Sequence, residues 1–182
     1  MKRIALVLAV GAALLAIAAS RAESRRPYAG LYADAEHWDC DVFISGGFMP
    51  FQLYVWWLPG DEGLMATVHR LEIPPNVIVG TLTSNPNCGI AIGCMPPDVC
   101  CSLMSCHTDW TWTHRIDCYL TDANPSFIRM THNPLDPALL AASCSPGYLA
   151  EEVVVLNHLA INQACVISTE SASWGAIKGL YR

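Results

Sequence analysis

Trp110-Thr111-Trp112-Thr113-His114-Arg115-Ile116-Asp117-Cys118-Tyr119-Leu120 is the stretch that decides the fold of this chain. Successive side chains of an extended strand point to opposite faces. Trp110, Trp112, His114, Ile116, Cys118 and Leu120 therefore share one face, and Thr111, Thr113, Arg115, Asp117 and Tyr119 the other. That alternation predicts a strand with one covered face and one wetter face. The neighbouring runs read the same way. In 51–58 both phases are apolar, as in a central strand covered on both sides. In 64–73 the apolar phase slips from Leu64, Ala66 and Val68 to Leu71 and Ile73, which predicts a bulge near His69-Arg70. In 151–161, Val153, Val155, Leu159 and Ile161 make one face, and Asn157 interrupts it and needs a backbone partner.

Turn signals separate these runs at short intervals. They include Gly46-Gly47, Pro59-Gly60-Asp61, Pro74-Pro75-Asn76, Ser84-Asn85-Pro86-Asn87, Pro96-Pro97-Asp98 and Ser145-Pro146-Gly147. Each combines a preset or positive φ with side chains that bind local backbone. Many short strands with regular punctuation indicate an all-β sandwich, Ig-like or cohesin-like, and not alternating β and α units. One helix is predicted, at 173–181 in a tail spanning 171–182. Ser173 would cap it, and Trp174, Ile177 and Tyr181 would form its apolar stripe.

Lys2 and Arg3 lead into an apolar run at 4–19 that ends in Ser20-Arg21-Ala22. A positive start, a short apolar core and a small-residue exit predict a secretory signal peptide over 1–22. The run holds 16 residues, short of the about 20 that span a bilayer. The mature chain is therefore expected to carry no transmembrane anchor. The remaining 160 residues suit one domain, assigned to 23–170 with the tail beyond it. Without Lys2, Arg3 and Arg21, 7 basic residues face 16 acidic ones, a net charge of −9. Nucleic acid needs clustered Lys and Arg to neutralise phosphates, so it is not an expected partner.

All nine cysteines follow the apolar run. Cysteine used this heavily in an exported chain predicts disulfides and a periplasmic or extracellular destination. Five of them, Cys88, Cys94, Cys100, Cys101 and Cys106, crowd a segment near 88–107. Their spacing contains no close zinc pair. Adjacent Cys100 and Cys101 are expected to take separate partners. Cys144 is expected to bond Cys165, since the two flank the strand region at 147–162. An odd count leaves one thiol over, free or paired between chains. Cys118 is expected to be buried on the Trp110 and Trp112 face.

Three stretches carry a resemblance. They are Gly30-Leu31-Tyr32-Ala33-Asp34 with Cys40, the middle at 50–55 and 63–79, and the end, 159–165 running into 170–182 with Ser173-Trp174-Gly175-Ala176-Ile177-Lys178-Gly179-Leu180-Tyr181 inside it. Together they resemble a group of exported bacterial proteins with a GLY-x-D opening, a sandwich-like body and a TWG-x-IK-x-LY close. The resemblance transfers no activity and no catalytic residue. The segment from Cys94 to Cys106 departs from that group, so the stretch near 88–107 looks like a cysteine-rich insertion.

Six Trp and six Tyr suggest where a ligand could sit. Trp56, Trp57, Trp110 and Trp112 could form a platform for sugar rings, or could fill the core between the sheets. Asp34, Glu36, Asp39 and Asp41 surround His37, but their spacing is not a calcium loop and a solvated acidic face explains them. No metal and no cofactor is expected. No H-E-x-x-H, G-x-S-x-G or phosphate-cradling loop is present. The expected function is a non-enzymatic exported domain, structural or adhesive, whose partner is a surface polysaccharide or an envelope protein. A carbohydrate-binding module on the four tryptophans is the first alternative. A carboxylate-based hydrolase is the second, and it would need two carboxylates facing across a cleft.

Overall fold

A computed structural model describes residues 25–89 and 98–166. The expected signal peptide at 1–22 and the expected helix at 173–181 lie outside the described residues. What is described is all β, in two sheets packed face to face as a sandwich. Among the described residues no helix is long and apolar enough to cross a membrane.

The first sheet has five strands: β1 (Tyr28–Tyr32), β3 (Met49–Leu58), β5 (Val77–Ser84), β7 (Thr111–Leu120) and β11 (Val154–Asn157), in the order β11-β1-β3-β7-β5. The second has seven. They are β2 (Asp41–Val42), β4 (Leu64–Glu72), β6 (Asp98–His107), β8 (Ser126–Thr131), β9 (Leu140–Ala142), β10 (Ala150–Glu152) and β12 (Leu159–Ile161). They run β10-β9-β4-β8-β12-β2, with β6 paired to β4. Residues 98–107 of the cysteine-rich segment thus form a ten-residue strand of this sheet, and Cys88 bridges to it at Leu103.

Three strand phases differ from those the sequence predicts. Along β7 the register against β3 shifts between Val55 and Trp56: Val55 faces His114, but Trp56 faces Trp112. One extra residue, Thr113, is accommodated in β7, and its inward face switches there. His114, Ile116, Cys118 and Leu120 point into the core as expected. Trp112 does not, because Thr111 and Thr113 take the inward positions before the bulge. The switch serves Trp57, whose Nε1 donates to Thr113 Oγ1 at 3.1 Å in the interior. Along β4 the irregularity lies between Leu64 and Ala66 and not near His69-Arg70, so Thr67, His69 and Leu71 face inward. Finally, 151–161 is not one strand. β11 pairs β1 in the first sheet, and β12 pairs β8 and β2 in the second. Asn157, at the crossing, donates from Nδ2 to the Leu31 carbonyl at 2.6 Å, the backbone partner it was expected to need.

Disulfides hold the rim. Cys88 bonds Cys101, Cys106 bonds Cys144, and Cys40 bonds Cys165. Cys100 is disulfide-bonded as well, so the adjacent pair does take separate partners. The expected Cys144–Cys165 bridge is not made, and sheet pairing explains why. The parallel pairing of β12 with β2 carries Cys165 to Cys40, where its N–H donates to Asp41 Oδ2 at 3.3 Å. Cys144 donates its N–H to the Glu62 carbonyl at 3.1 Å, beside the end of β6 where Cys106 lies. Gly63 sits between them at φ +74°. A Cβ there would lie 2.5 Å from Cys106 Sγ and 3.0 Å from Cys144 Sγ, so the bridge leaves no room for a side chain. Cys118 is the free thiol among the described cysteines. It is fully buried, and burial, reinforced by the neighbouring Asp117 carboxylate, pushes its pKa up to about 12.

Candidate functional site

Trp56 and Trp57 are consecutive on β3, so they project to opposite faces of the first sheet. Each meets a histidine. On the inner face Trp57 is fully buried, with its ring centroid 5.6 Å from that of His69 on β4. His69 in turn lies 6.2 Å from His114 of β7, so this contact spans the two sheets. Both His69 nitrogens, His114 Nδ1 and Thr67 Oγ1 are buried with no hydrogen-bond partner among the described residues. Imidazolium would lose its hydration here and gain no countercharge. Burial, then the neighbouring His114, takes the His69 pKa down to about 3. Burial takes His114 to about 4, against a backbone hydrogen bond at Cys100 that works the other way. This inner pair is core, and Trp57 belongs to it.

The outer face is different. Tyr32, Cys40 and Trp56 form a second buried cluster, against which Tyr54, Trp110, Trp112 and Cys165 pack. Three separate segments build it: the end of β1, β3, and the start of β7. The loop at 33–40 closes over it. Asp34 shapes that loop, since its carboxylate accepts the N–H of Trp38 at 3.0 Å and of Asp39 at 2.9 Å. The Ala33 N–H donates to the Asp39 carbonyl at 2.7 Å and completes the turn. Cys40–Cys165 then ties its end to the other sheet.

The tight loop puts His37 at φ 55°, in the left-handed region. Its imidazole is surrounded by four rings. Trp110 stacks on it at 4.5 Å and 23°, and Trp56 lies tilted at 4.6 Å. Trp38 stacks at 5.8 Å and 13°, and Tyr32 presents an edge at 5.9 Å. His37 Nδ1 and Trp56 Nε1 are buried with no hydrogen-bond partner among the described residues. Burial lowers the His37 pKa, while Asp34, Asp109 and Glu36 pull it upward. Trp38 itself is 61% exposed and forms the wet side of the group. Further along the face, Trp112 packs edge-on against Tyr54 at 6.3 Å, and the Tyr54 hydroxyl donates to Gln52 Oε1.

Of the four tryptophans expected to bind a ligand, Trp56, Trp110 and Trp112 are therefore brought together on the outer face, and Trp57 is not. They do not form a flat platform: Trp56 and Trp110 meet at 72°. Sequence reasoning passed over Tyr32, His37 and Trp38. The signal available was the tryptophan next to His37, inside a turn-forming acidic stretch that ends at a cysteine. The acidic group itself is divided among local duties, Asp34 to the turn and Asp41 to the Cys165 N–H. Among the described residues no set of three His, Cys, Asp or Glu side chains is placed to hold a metal ion. No protein-family model matches the chain, and no curated protein is similar to it.

Proposed function

We propose that the protein is an exported, non-enzymatic adhesive domain that holds a surface polymer, a polysaccharide in the first instance, on its outer aromatic face. One observation carries this reading: aromatic side chains from three separated segments converge on one side of the first sheet, with Trp38 outermost and 61% exposed. A sandwich gains its stability from rings placed between its sheets, as Trp57 is. Rings gathered on the outside, under a loop tied down by its own disulfide, suit contact with something else. Aromatic rings offer an apolar face for the C–H side of a sugar, and the rim carboxylates Glu36 and Asp109 can accept from hydroxyl groups. The disulfides suit the oxidising periplasm or extracellular space where such a polymer would be met.

Retention of the purified protein on insoluble polysaccharides, with a glycan array in parallel, tests this. Trp38→Ala and Trp110→Ala should each reduce retention while leaving the far-ultraviolet spectrum unchanged. Equal retention of wild type and both variants would discard the face. A blank array, together with envelope binding that protease treatment abolishes, would make the partner an envelope protein.

A further inference from the structure

We propose, on the premise that the outer face is the binding face, that the ring enclosure around His37 is a receptor for a quaternary ammonium group, and that His37 is the occupant such a group displaces. The enclosure has the walls this chemistry uses. Electron-rich ring faces attract a cation placed against them, and tryptophan does so best. Trp110, Trp56, Trp38 and Tyr32 all contact the same imidazole, with ring centroids 4.5 to 5.9 Å from it. The rim has the matching charge. Among the described residues, the charged side chains that bear on the His37 ring are Asp34, Asp109 and Glu36, all carboxylates.

The walls also say which cation. His37 Nδ1 finds no hydrogen-bond partner inside among the described residues, nor does Trp56 Nε1. A primary ammonium or a guanidinium entering between the rings would exchange the hydration of its N–H groups for ring faces. A tetraalkylated nitrogen has no N–H to satisfy and presents only weakly polarised methyl groups to the rings. The site is thus matched to a permanent cation without donors.

His37 is suited to leave. It sits on an exposed loop and not on a strand, and its φ of 55° is unfavourable for a residue with a Cβ. Inside the enclosure it makes ring contacts and no hydrogen bond from Nδ1. Swinging out about its side-chain bonds would return that nitrogen to water and leave the turn in place. Trp38, largely exposed, is the wall that borders solvent and the side from which a ligand would enter.

The test is a titration of the intact disulfide-bonded protein with choline, followed by tryptophan fluorescence. Its uncharged isostere 3,3-dimethylbutan-1-ol, titrated alone, separates charge from shape. Choline should give a saturable change and the alcohol none. His37→Gly removes the occupant and places at φ 55° the residue that tolerates it best. This variant should bind choline roughly tenfold tighter, as expected if the open enclosure is about a tenth populated in wild type. Glu36→Gln keeps the shape, removes a rim charge, and should weaken choline binding in either background. Equal responses to choline and the alcohol, or no gain in His37→Gly, would overturn the proposal. If choline fails but Trp38→Ala still abolishes retention on a polysaccharide, the cation receptor is wrong and the binding face stands. If both fail, the face is wrong too.

Discussion

Trp56 and Trp57 each hold a histidine, and the two contacts have little else in common. Trp57 and His69 come from regular strands of opposite sheets and meet in a dry interior, with His114 the titratable neighbour acting on His69 among the described residues. Trp56 and His37 meet under a loop, with three carboxylates acting on the imidazole and an exposed Trp38 beside it. A tryptophan–histidine pair is therefore not a function. Its surroundings decide whether protonation is opposed or assisted, and whether the histidine can move. In the interior the backbone fixes the ring. On the outer face the backbone strains to keep it.

The largest expected effect follows from the inner pair. His69 titrates at about 3 and His114 at about 4, against 6.5 for an exposed imidazole. Values lowered by folding mean that the unfolded chain takes up protons that the folded protein refuses. Stability should therefore fall as pH drops through 6.5, and level off once pH passes below about 3. At pH 4 the loss from the pair is on the order of 5 kcal/mol relative to neutral pH. Urea midpoints at the two pH values measure it. Carboxylates elsewhere also respond to acid, so the decisive comparison is His69→Leu, which should flatten the pH dependence by about half. His37→Gly should leave it steep. A His69→Leu curve parallel to wild type would remove the distinction drawn between the two sites.

Much of the body was legible in sequence. Runs of β-formers between turn signals gave two sheets, because a strand with one apolar face must bury it against another layer. What escaped was local and polar. The Trp-Thr-Trp-Thr alternation from Trp110 to Thr113 reads as tryptophan in and threonine out, yet the threonines face inward. A bulge resets the phase, and Trp57 Nε1 needs a buried acceptor. In β4 the inward positions before Leu71 are Thr67 and His69, so hydropathy alone placed the slip too late. Cys165 found Cys40, 125 residues away, because parallel strands brought them together, and nothing in their spacing says so. The histidine enclosure depends on one turn conformation at His37, which no periodicity records.

Next in size is the disulfide that belongs to the outer face. Cys40–Cys165 closes a loop of 125 residues, and in the chain-entropy model removing it costs about 5 kcal/mol. The double variant Cys40→Ser with Cys165→Ser should also loosen the loop at 33–40. Hydrogen exchange should then rise at the Trp38 and Asp39 amides and stay slow along β3 and β7. Equal deprotection of both regions would mean that the bridge supports the whole sandwich, and that the outer face is no separate unit.

The two tryptophans can be compared directly by losing the indole nitrogen. Trp57→Phe removes a buried hydrogen bond to Thr113 and leaves a gap in the core, at a cost of about 2 kcal/mol. Trp56 Nε1 has no partner to lose among the described residues, so Trp56→Phe should cost less than about 1 kcal/mol. Chemical denaturation of the two variants beside wild type decides the order. A larger loss at Trp56 would mean that the outer cluster, and not the inner pair, is the part of the aromatic structure that holds the sheets.

The smallest effect on stability is expected where the effect on binding is greatest. Trp38 is 61% exposed, so truncating it returns little buried apolar surface to water. Its backbone N–H, which Asp34 accepts, is kept in any substitution, so the turn is not undone. Trp38→Ala should shift the urea midpoint by no more than about 0.5 kcal/mol in free energy. The same variant removes one stacked wall from the group around His37, and with it the ring that borders solvent. Retention on a polymer should drop while the fold stays intact, which is the behaviour of a contact residue. Trp57→Phe should do the reverse, losing stability and keeping retention. If Trp38→Ala instead unfolds the domain, the outer rings are a second core, and the contrast between the two faces of β3 is one of depth and not of purpose.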